Sequence, residues 1–470
     1  MQNTRGAPLF LVCLFAIVLG SRLCHSGILW ADEDYHQAAA IQLLYGKALY
    51  RDVWYDKPPL NAVFYLLFNA RGGWVLRLAG ALFVTGVCAL AFRFASELWT
   101  RREGVLAAGL LAFFLIFYLP GAIIPLEPDT LMIAPHLAAV YLAWRRKPLA
   151  AGMASGLAFL INTKGLFVLA SCLLFGFVRP ASLVAGFLAP NLIFLGWLAW
   201  QGALADYCQQ VWKWGILYAG TSSFGAGRVL GWMGFHAALV AGAAWCWWKD
   251  RAPERVRLVL WAAISFLAAV PGGQFFPRYF NQLLPALVIS AARGISLIGF
   301  RPAVAQAALA IALAVPVIRF GPRYFVLAKE RITGAPHQWK DIEMDQDSRA
   351  VALMIRGLAR QGDTIFIWGY RPNIVAYTRL PIASRFWDSQ PLTGVPADRH
   401  LSDARPVAEE WARANRAELI RTSPTFLVDG LSSYNPGLDI HKYADLKPWL
   451  AKYSVAGRTR TTVIYRLRSD

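Results

Sequence analysis

Charged side chains are scarce in this chain, and acidic ones are the scarcest. Only 16% of the 470 residues are charged whereas 57% are hydrophobic, and there are 28 Asp and Glu against 47 Lys and Arg. A soluble globular protein of this length carries more charge and less apolar surface. The composition therefore excludes an ordinary soluble enzyme and predicts a protein whose solvent is the membrane.

The sequence also lacks the patterns of several common site types. The six cysteines, at positions 13, 24, 88, 172, 208 and 246, lie in or beside apolar segments, so no disulfide framework is indicated. The C-terminal part has no Gly-rich phosphate loop, no His/Cys set with metal-ligand spacing and no internal repeat. His36 and His136 are isolated, and an isolated His is more often packed or interfacial than bound to a metal.

A net charge of +19 is a reason to consider a nucleic-acid partner. Much of the excess, however, lies in short clusters between apolar runs. Basic residues concentrate in this way on the cytoplasmic turns of membrane proteins. The charge therefore indicates topology, and no nucleic-acid partner is expected. The clusters are Arg101-Arg102, Arg145-Arg146-Lys147, and Lys249, Arg251, Arg255 and Arg257.

Apolar runs recur over residues 1–320, and a run of about 17 to 25 residues can cross a hydrocarbon core about 30 Å thick. With Arg5 in the cytoplasm, we predict a polytopic α-helical membrane protein with about 11 spans. A first outer loop is expected at 29–72 and a C-terminal α/β domain at 321–470, on the outer side. The N-terminal run is interpreted as an uncleaved span, with a signal peptide as the alternative. The predicted spans are 8–28, 73–96, 104–122, 129–144, 148–162, 165–178, 180–200, 229–248, 258–271, 281–298 and 303–320.

Further predictions concern the segments outside the spans. Residues 58–70 are apolar but too short to span, so we place them along the outer interface as an amphipathic helix begun by Pro58-Pro59. In the tail, Asp347 is predicted to cap a helix that runs to Gly362. We also predict helices and strands further along the tail: helices at 406–420 and 444–453, and strands at 364–368, 425–428 and, as an edge, 461–467.

The few acids of the membrane part are unevenly placed. Residues 1–320 hold twelve Asp and Glu, and seven of them fall in two outer windows. Acids near a bilayer are costly unless they are solvated or paired. Solvated loop charge is the simpler interpretation, but cations are predicted on the same face. Carboxylates beside cations suit a reaction between a hydroxyl, which needs a general base, and a lipid-linked phosphate, which needs positive charge. The windows are Asp32, Glu33, Asp34, Asp52 and Asp56 in the first loop, and Glu127 and Asp129 in the second.

These windows resemble the GT-C glycosyltransferase superfamily, in the branch of protein O-mannosyltransferases and lipid A aminoarabinose transferases. The resemblance implies a GT-C-like catalytic domain at 1–320, in a bacterial inner-membrane protein whose N-terminus is cytoplasmic and whose tail is periplasmic. It rests on these segments: Asp32-Glu33-Asp34-Tyr35-His36, Gly46-Lys47-Ala48-Leu49-Tyr50-Arg51-Asp52, Asp56-Lys57-Pro58-Pro59-Leu60, Glu127-Pro128-Asp129-Thr130, Thr163-Lys164-Gly165, Phe276-Pro277-Arg278-Tyr279-Phe280 followed by Leu283-Leu284-Pro285-Ala286, Phe366-Ile367-Trp368-Gly369-Tyr370 and Pro381 to Phe386.

The resemblance implies inverting transfer of a sugar from a polyprenyl phosphate to an acceptor hydroxyl on a lipid, glycan or protein. Asp32 is then the general base with Glu33 beside it, and Asp129 is the second acid. Which acid of the 32–34 triplet is the base stays open, as does a divalent metal on Asp56 and Asp129. Lys57, Arg278 and Lys164 would bind the donor phosphate. The residues that surround the site or contact the acceptor would be Asp34, Asp56, Glu127, Tyr35 and Tyr50.

Other interpretations remain open. Lys57, Lys164 and Arg278 have simpler roles as snorkelling or anchoring residues at span ends, and the tyrosines fit an aromatic belt. A ligase or oligosaccharyltransferase that uses a polyprenyl diphosphate is one alternative function. A transporter of lipid-linked sugars is another, favoured by ionisable residues buried mid-span or by paired broken helices, neither of which the sequence shows.

Overall fold

The computed structural model describes residues 6–175, 179–219, 225–271, 273, 275–298, 303–335, 339–398 and 405–468. Arg5 and residues 176–178 of the sixth predicted span lie outside this set. The N-terminal part is mostly helical, with a π-helix at Cys208–Lys213 and a 3-10 helix at Pro277–Leu283. Its α-helices are α1 (Gly6–Leu23), α2 (Glu33–Leu44), α3 (Leu60–Leu66), α4 (Gly73–Leu98), α5 (Arg101–Phe114), α6 (Pro120–Ile123), α7 (Pro128–Leu131), α8 (Ile133–Trp144), α9 (Pro148–Ile161), α10 (Gly165–Phe175), α11 (Pro180–Trp200), α12 (Leu204–Tyr207), α13 (Trp214–Ala219), α14 (Ala226–Phe235), α15 (Ala237–Lys249), α16 (Glu254–Ala269), α17 (Leu284–Ile298) and α18 (Ala303–Thr333).

Each predicted span coincides with a helix or a pair of helices, although several differ in length. The span predicted at 229–248 is broken, because α14 and α15 meet at an angle of 85°. Helix α18 continues past residue 320 to Thr333. Among the described residues, four helices are long and apolar enough to cross a membrane, and the bent pair makes a fifth. The number of crossings therefore stays a prediction. The four helices are Gly73–Leu98, Pro180–Trp200, Pro277–Ile298 and Ala303–Thr333.

Glycines allow the closest helix pairs to pack backbone against backbone. A Cβ at Gly152 of α9 would lie 2.0 Å from the carbonyl oxygen of Leu183 in α11. A Cβ at Gly294 of α17 would lie 1.8 Å from the carbonyl oxygen of Gly242 in α15. Small residues are typical of such contacts in membranes, where close packing rather than the hydrophobic effect holds helices together.

The first outer loop is an ordered part of the fold. Helix α2 begins at Glu33, three residues after the end of the segment Ile28 to Trp30. The predicted interfacial helix is present as α3, with Pro59 at its N-cap. At seven residues, α3 is too short to span a bilayer. Between the two helices, Tyr50 adopts a positive φ of 69°, which turns the chain so that residues 52–57 fold back over α2.

The C-terminal part is a small α/β layer. Strands β1 (Ile365–Trp368) and β2 (Phe426–Asp429) are parallel, while β4 (Val463–Leu467) lies antiparallel between β2 and β3 (Tyr453–Arg458). Short 3-10 helices lie at Lys340–Ile342, Pro436–Leu438, Ile440–Lys442 and Ala444–Leu446. The α-helices are α19 (Glu343–Leu358), α20 (Asn373–Thr378), α21 (Gln390–Thr393), α22 (Glu409–Leu419) and α23 (Lys447–Leu450).

Three predictions about the tail are wrong. Asp347 is not a cap: α19 begins at Glu343, and the Asp347 carboxylate accepts hydrogen bonds from Arg371, Thr461 and Thr462. The helix predicted at 444–453 ends at Leu450, and a strand begins at Tyr453 because its bulged pairing with β4 overrides the local helical pattern. Strand β4 is interior in the sheet rather than at an edge.

The tail and the first loop share one hydrophobic core. The Trp54 amide donates to the carbonyl of Arg385 at 2.8 Å, and the Trp387 indole donates to the Trp54 carbonyl at 2.6 Å. Lys47 donates to the carbonyl of Ile382 at 2.5 Å. Because these contacts join segments more than 300 positions apart in the chain, the tail fixes the shape of the loop that carries the acids.

We predict that Gly294→Ala destabilises the protein by about 1 to 3 kcal/mol, the usual cost of overpacking, because the new methyl group would collide with the backbone of Gly242. Gly109→Ala in α5 is the matched control, since a Cβ there meets nothing within 4 Å and Ala favours a helix. Thermal unfolding in detergent measures both. Equal melting temperatures for the two variants would contradict the packing described here.

Candidate functional site

Asp32 occupies the N-cap of α2 in an unusual backbone conformation, with a φ of 72°. Its carboxylate forms an ion pair with Arg278 through Oδ2, and Oδ1 accepts a hydrogen bond from the Tyr370 hydroxyl at 3.3 Å. The Asp32 side chain remains 17% exposed. Burial opposes ionisation of Asp32, but attraction to Arg278 and Lys57 outweighs it and lowers the pKa of the carboxyl group. Asp32 is therefore a partly accessible carboxylate that stays ionised.

Asp56 and Lys57 form a second acid and cation pair beside the first. The Lys57 ammonium lies 2.8 Å from Asp56 Oδ2, and the Lys57 side chain is 38% exposed. Burial disfavours the charged ammonium, but Asp56 outweighs it and raises the pKa of Lys57. Tyr50, although buried, donates its hydroxyl to the Lys57 carbonyl at 2.9 Å. The turn at Tyr50 and the hydrogen bond of its hydroxyl therefore fix the position of Lys57.

Asp129 and Lys164 form the third pair, from the second outer window and the end of α9. The Lys164 ammonium lies 2.9 Å from Asp129 Oδ1, which also accepts from Asn162 at 3.1 Å and Gln282 at 3.3 Å. The same ammonium lies 3.8 Å from the centre of the Tyr279 ring. Three donors and an aromatic face thus hold Asp129 and Lys164 in one geometry.

Arg278 and Tyr279 join these pairs into one charged surface. The Arg278 guanidinium contacts Asp32 and lies 5.9 Å from the ring of Tyr279, which carries Lys164 on its face. Arg278 is also close enough to Glu127 to offset part of the rise that burial and Asp129 cause in the pKa of that carboxyl group. The structure therefore brings together four predicted residues that lie far apart in the chain: Asp32, Lys57, Arg278 and Lys164.

Glu33 does not face this surface. Its carboxylate is fully buried and makes two contacts with the Arg77 guanidinium, at 2.5 and 2.9 Å. It also accepts the backbone amides of Trp30 at 3.3 Å and Leu126 at 3.4 Å. Glu33 thus ties α4 to the first and second outer windows, which is a positioning role next to Asp32 rather than a place on the charged surface.

Asp34 and Glu127 accept hydrogen bonds from backbone amides of nearby residues in the chain. Asp34 accepts the amide of Tyr35 at 2.8 Å and lines a cavity of about 230 Å³ with Tyr370. Glu127 caps α7, accepting the amides of Asp129 and Thr130 at 2.9 Å each. Burial, and then the charge of Asp129, raise the pKa of Glu127.

The aromatic residues of the loop are packed against one another. Tyr35 is stacked on Tyr55, Tyr370 and Trp387, at centroid distances of 5.3, 5.5 and 4.8 Å. Tyr35 is 1% exposed and Tyr50 is 0% exposed. A sugar could stack on either ring only if these covered faces opened. The stack instead supports α2 from the side of the tail.

The histidines and acids offer little to a metal ion. His36 Nδ1 and the Tyr55 hydroxyl are 2.6 Å apart, and burial lowers the pKa of His36 to about 3. His136 Nε2 accepts from the Trp261 indole at 2.9 Å. Within the described part of the chain, no three His, Cys, Asp or Glu residues group as a metal site would require. Asp56 and Asp129 each hold a lysine instead.

Several residues of the site escaped the sequence analysis as individual candidates. Tyr279 and Tyr370 lie in segments that carry the resemblance to GT-C glycosyltransferases, but nothing in those segments distinguished them as site residues. Asn162 and Gln282 gave no signal. Arg77 did give one: an arginine inside an otherwise apolar span is costly without a partner, and its partner is Glu33.

Comparisons with known families and solved structures identify proteins that share this fold. A family model described as dolichyl-phosphate-mannose-protein mannosyltransferase matches residues 56–203. No curated protein matches the chain in sequence. ArnT from Cupriavidus metallidurans, in a structure with undecaprenyl phosphate bound, superposes with a TM-score of 0.63 at 16% identity, covering 98% of each chain.

Two further solved structures share the fold. The oligosaccharyltransferase of Archaeoglobus fulgidus gives a TM-score of 0.52 at 14% identity, covering 92% of this chain and 70% of the other. The arabinofuranosyltransferase AftD from Mycobacteria gives 0.52 at 16% identity, covering 99% and 40%. The resemblance to GT-C glycosyltransferases is confirmed. The chain is a membrane protein that shares the fold of these glycosyltransferases.

We predict that Glu33→Gln lowers stability by about 3 to 5 kcal/mol, because it leaves the buried Arg77 charge without a partner. The matched control is Glu409→Gln, which breaks a pair whose side chains are 66% and 67% exposed and should cost less than about 1 kcal/mol. Thermal unfolding of the two variants in detergent makes the comparison. A loss as small as that of the control would show that the Arg77 pair does not hold the loops.

Proposed function

We propose that this protein is an inverting glycosyltransferase that uses a polyprenyl phosphate sugar and an acceptor hydroxyl at the outer face of a bacterial inner membrane. The observation that carries the proposal is the Asp32 and Arg278 ion pair with Lys57 beside it. The pair places a base and two cations on one surface of a membrane protein. A carboxylate alone, or a cation cluster alone, would serve only half of the reaction.

In the proposed reaction the acceptor oxygen attacks the anomeric carbon from the side opposite the phosphate. The acceptor proton passes to an oxygen of Asp32, and the bond between the anomeric carbon and the phosphate oxygen breaks. The leaving polyprenyl phosphate retains the electron pair, and its growing negative charge is stabilised by Arg278 and Lys57. Atoms and charges balance without a cofactor.

Arg278 links the two halves of this chemistry. Its attraction lowers the pKa of Asp32, which keeps the carboxylate ionised but weakens it as a base. As negative charge develops on the phosphate, the guanidinium is drawn to it, and its hold on Asp32 weakens. The basicity of Asp32 therefore rises at the moment when the acceptor proton must leave.

Asp129 and Lys164 suit a supporting role in the proposal. They lie close to Tyr279, whose ring is also near Arg278, and each is already bound by several partners. A lysine held at a fixed acid extends the positive surface towards a second phosphate oxygen or a sugar hydroxyl. Asp129 would orient the sugar rather than take the proton.

A polyprenyl diphosphate donor is the second candidate, favoured by the fold shared with the archaeal oligosaccharyltransferase. The balance of charge favours the monophosphate. Asp32, Asp56 and Asp129 are each paired with one cation, so the surface has little surplus charge for a diphosphate. Labelled donors that differ only in one or two phosphates separate the candidates in a single assay on membranes containing the protein.

We predict that Asp32→Asn lowers kcat by roughly 10²- to 10⁴-fold, the usual contribution of a general base. Transfer of radiolabelled sugar from synthetic polyprenyl monophosphate donors into the lipids and glycans of membranes measures it. Asp52→Asn is the control: it lies in the same loop and pairs with the exposed Arg51, so transfer should persist. Normal turnover in Asp32→Asn would remove Asp32 as the base.

The pH profile tests the role of Arg278. Because Arg278 lowers the pKa of Asp32 and burial raises it, we expect Arg278→Gln to move the acid limb of kcat/KM to higher pH. The wild type should show no loss from Asp32 between pH 8 and pH 5, since its pKa lies below the ordinary value of about 3.9. Arg360→Gln removes the same charge from an exposed position of the tail and should leave the limb in place. An unshifted limb in Arg278→Gln would separate Asp32 from the titration.

A further inference from the structure

A second basic surface lies where α4 meets the tail, apart from Asp32, Lys57 and Arg278. It is a cavity of about 390 Å³, called the basic cavity here. Four arginines from two distant segments line it, and its described lining contains no acid. The arginines are Arg71, Arg349, Arg356 and Arg379.

The N-terminus of α4 opens into the basic cavity. Gly73, Trp74 and Val75, the first residues of this 26-residue helix, line the cavity, and Gly72 at the N-cap supplies no side-chain cap. The amides of a first turn have no partner within the helix, and the helix dipole adds positive potential there. With glycine at 72 and 73, no Cβ shields these amides, so an anion can approach them directly.

The surrounding side chains are held in place. Arg379 donates to the carbonyls of Ala70 at 3.1 Å and Asn69 at 3.4 Å, while Arg356 donates to the carbonyl of Tyr377. Among the described residues, Arg349 is the one of the four arginines that pairs with a carboxylate, that of Asp345 at 2.9 Å. Bonds to neutral carbonyls fix a guanidinium without cancelling its charge, so Arg356 and Arg379 keep their attraction for an anion.

Gln37 provides an independent sign of a ligand. It lines the cavity from α2 and is 3% exposed. Its amide nitrogen donates to the Ala70 carbonyl at 2.9 Å, but its Oε1 is buried with no hydrogen-bond partner among the described residues. A buried acceptor without a donor is costly. A hydroxyl or ammonium group on a bound molecule would satisfy it.

The position of the cavity relative to the membrane identifies the class of ligand. Its floor is the start of α4, one of the helices able to cross a membrane, and Trp74 is 61% exposed at that point. An exposed tryptophan at the end of a span marks the headgroup level of the bilayer. We propose that the basic cavity binds the phosphate of an anionic lipid headgroup, at a site separate from the one that would hold the sugar donor.

Calorimetric titration of the full-length protein in detergent tests the proposal at low salt, where surface electrostatics are least screened. The probes are dioctanoyl phosphatidic acid, dioctanoyl phosphatidylcholine and inorganic phosphate. The variants are Arg71→Gln with Arg379→Gln, and Arg71→Gln alone in case the double variant fails to fold. A second pair, Arg360→Gln with Arg421→Gln, removes equal charge from exposed positions of the tail, and Lys57→Gln alters the donor site.

We expect the wild type to bind phosphatidic acid at least tenfold more tightly than phosphatidylcholine. Loss of each arginine should weaken phosphatidic acid binding by roughly tenfold, the worth of one charge-assisted hydrogen bond. The tail pair and Lys57→Gln should leave the binding intact. Competition by inorganic phosphate, itself lost in the double variant, would confirm that the phosphate group is recognised.

Four results would overturn the proposal. Binding that is unchanged in both Arg71 variants would show that the cavity is not the site. Equal weakening in the tail pair would reduce the effect to general charge. Loss in Lys57→Gln alone would move the lipid to the donor site. Binding of inorganic phosphate without any preference for phosphatidic acid would support an anion site whose ligand is free phosphate and overturn the lipid as its source.

Discussion

The buried ion pair between Glu33 and Arg77 is the contact on which the site depends. Arg77 belongs to a long apolar helix and also donates to the carbonyls of His25 and Ile28, while Glu33 accepts amides from both outer windows. One pair therefore fixes the end of α1, the start of α2 and the approach to α7 relative to α4. Since a buried charge cannot lose its partner cheaply, these four segments move together or not at all.

This rigidity explains the backbone of Asp32. A non-glycine residue with a φ of 72° carries strain of about 1 to 3 kcal/mol and persists only where its surroundings enforce it. Glu33 enforces it from one side, and Arg278 with Tyr370 hold the side chain from the other. A relaxed helix start would point the carboxylate elsewhere. The strain keeps Asp32 at the charged surface, while its neighbour Glu33 points into the protein.

The same two residues show how far the sequence can predict such a site. The hydropathy pattern located the helices because apolar length is a local property, and the resemblance of short segments to GT-C glycosyltransferases made Asp32, Lys57 and Arg278 candidates. It could not distinguish Asp32 from Glu33, because the difference lies in Arg77 and Leu126, which contact Glu33 from elsewhere in the chain. Asp347 misled for a similar reason: it has the residue type of a cap, but its partners are Arg371 and the distant Thr461 and Thr462.

The tail supplies the other constraint, and it links the two basic surfaces. Tyr370 reaches Asp32 from the end of β1, while Arg349, Arg356 and Arg379 reach the basic cavity from α19 and the end of α20. One ion pair connects the basic cavity with the cavity that Asp34 lines. Asp345 lines the cavity beside Asp34, and Arg349, the ion-pair partner of Asp345, lines the basic cavity. A lipid phosphate held by the arginines would compete for Arg349 and loosen Asp345. Lipid binding in the basic cavity would then alter the wall of the neighbouring cavity beside Tyr370, one ion pair away.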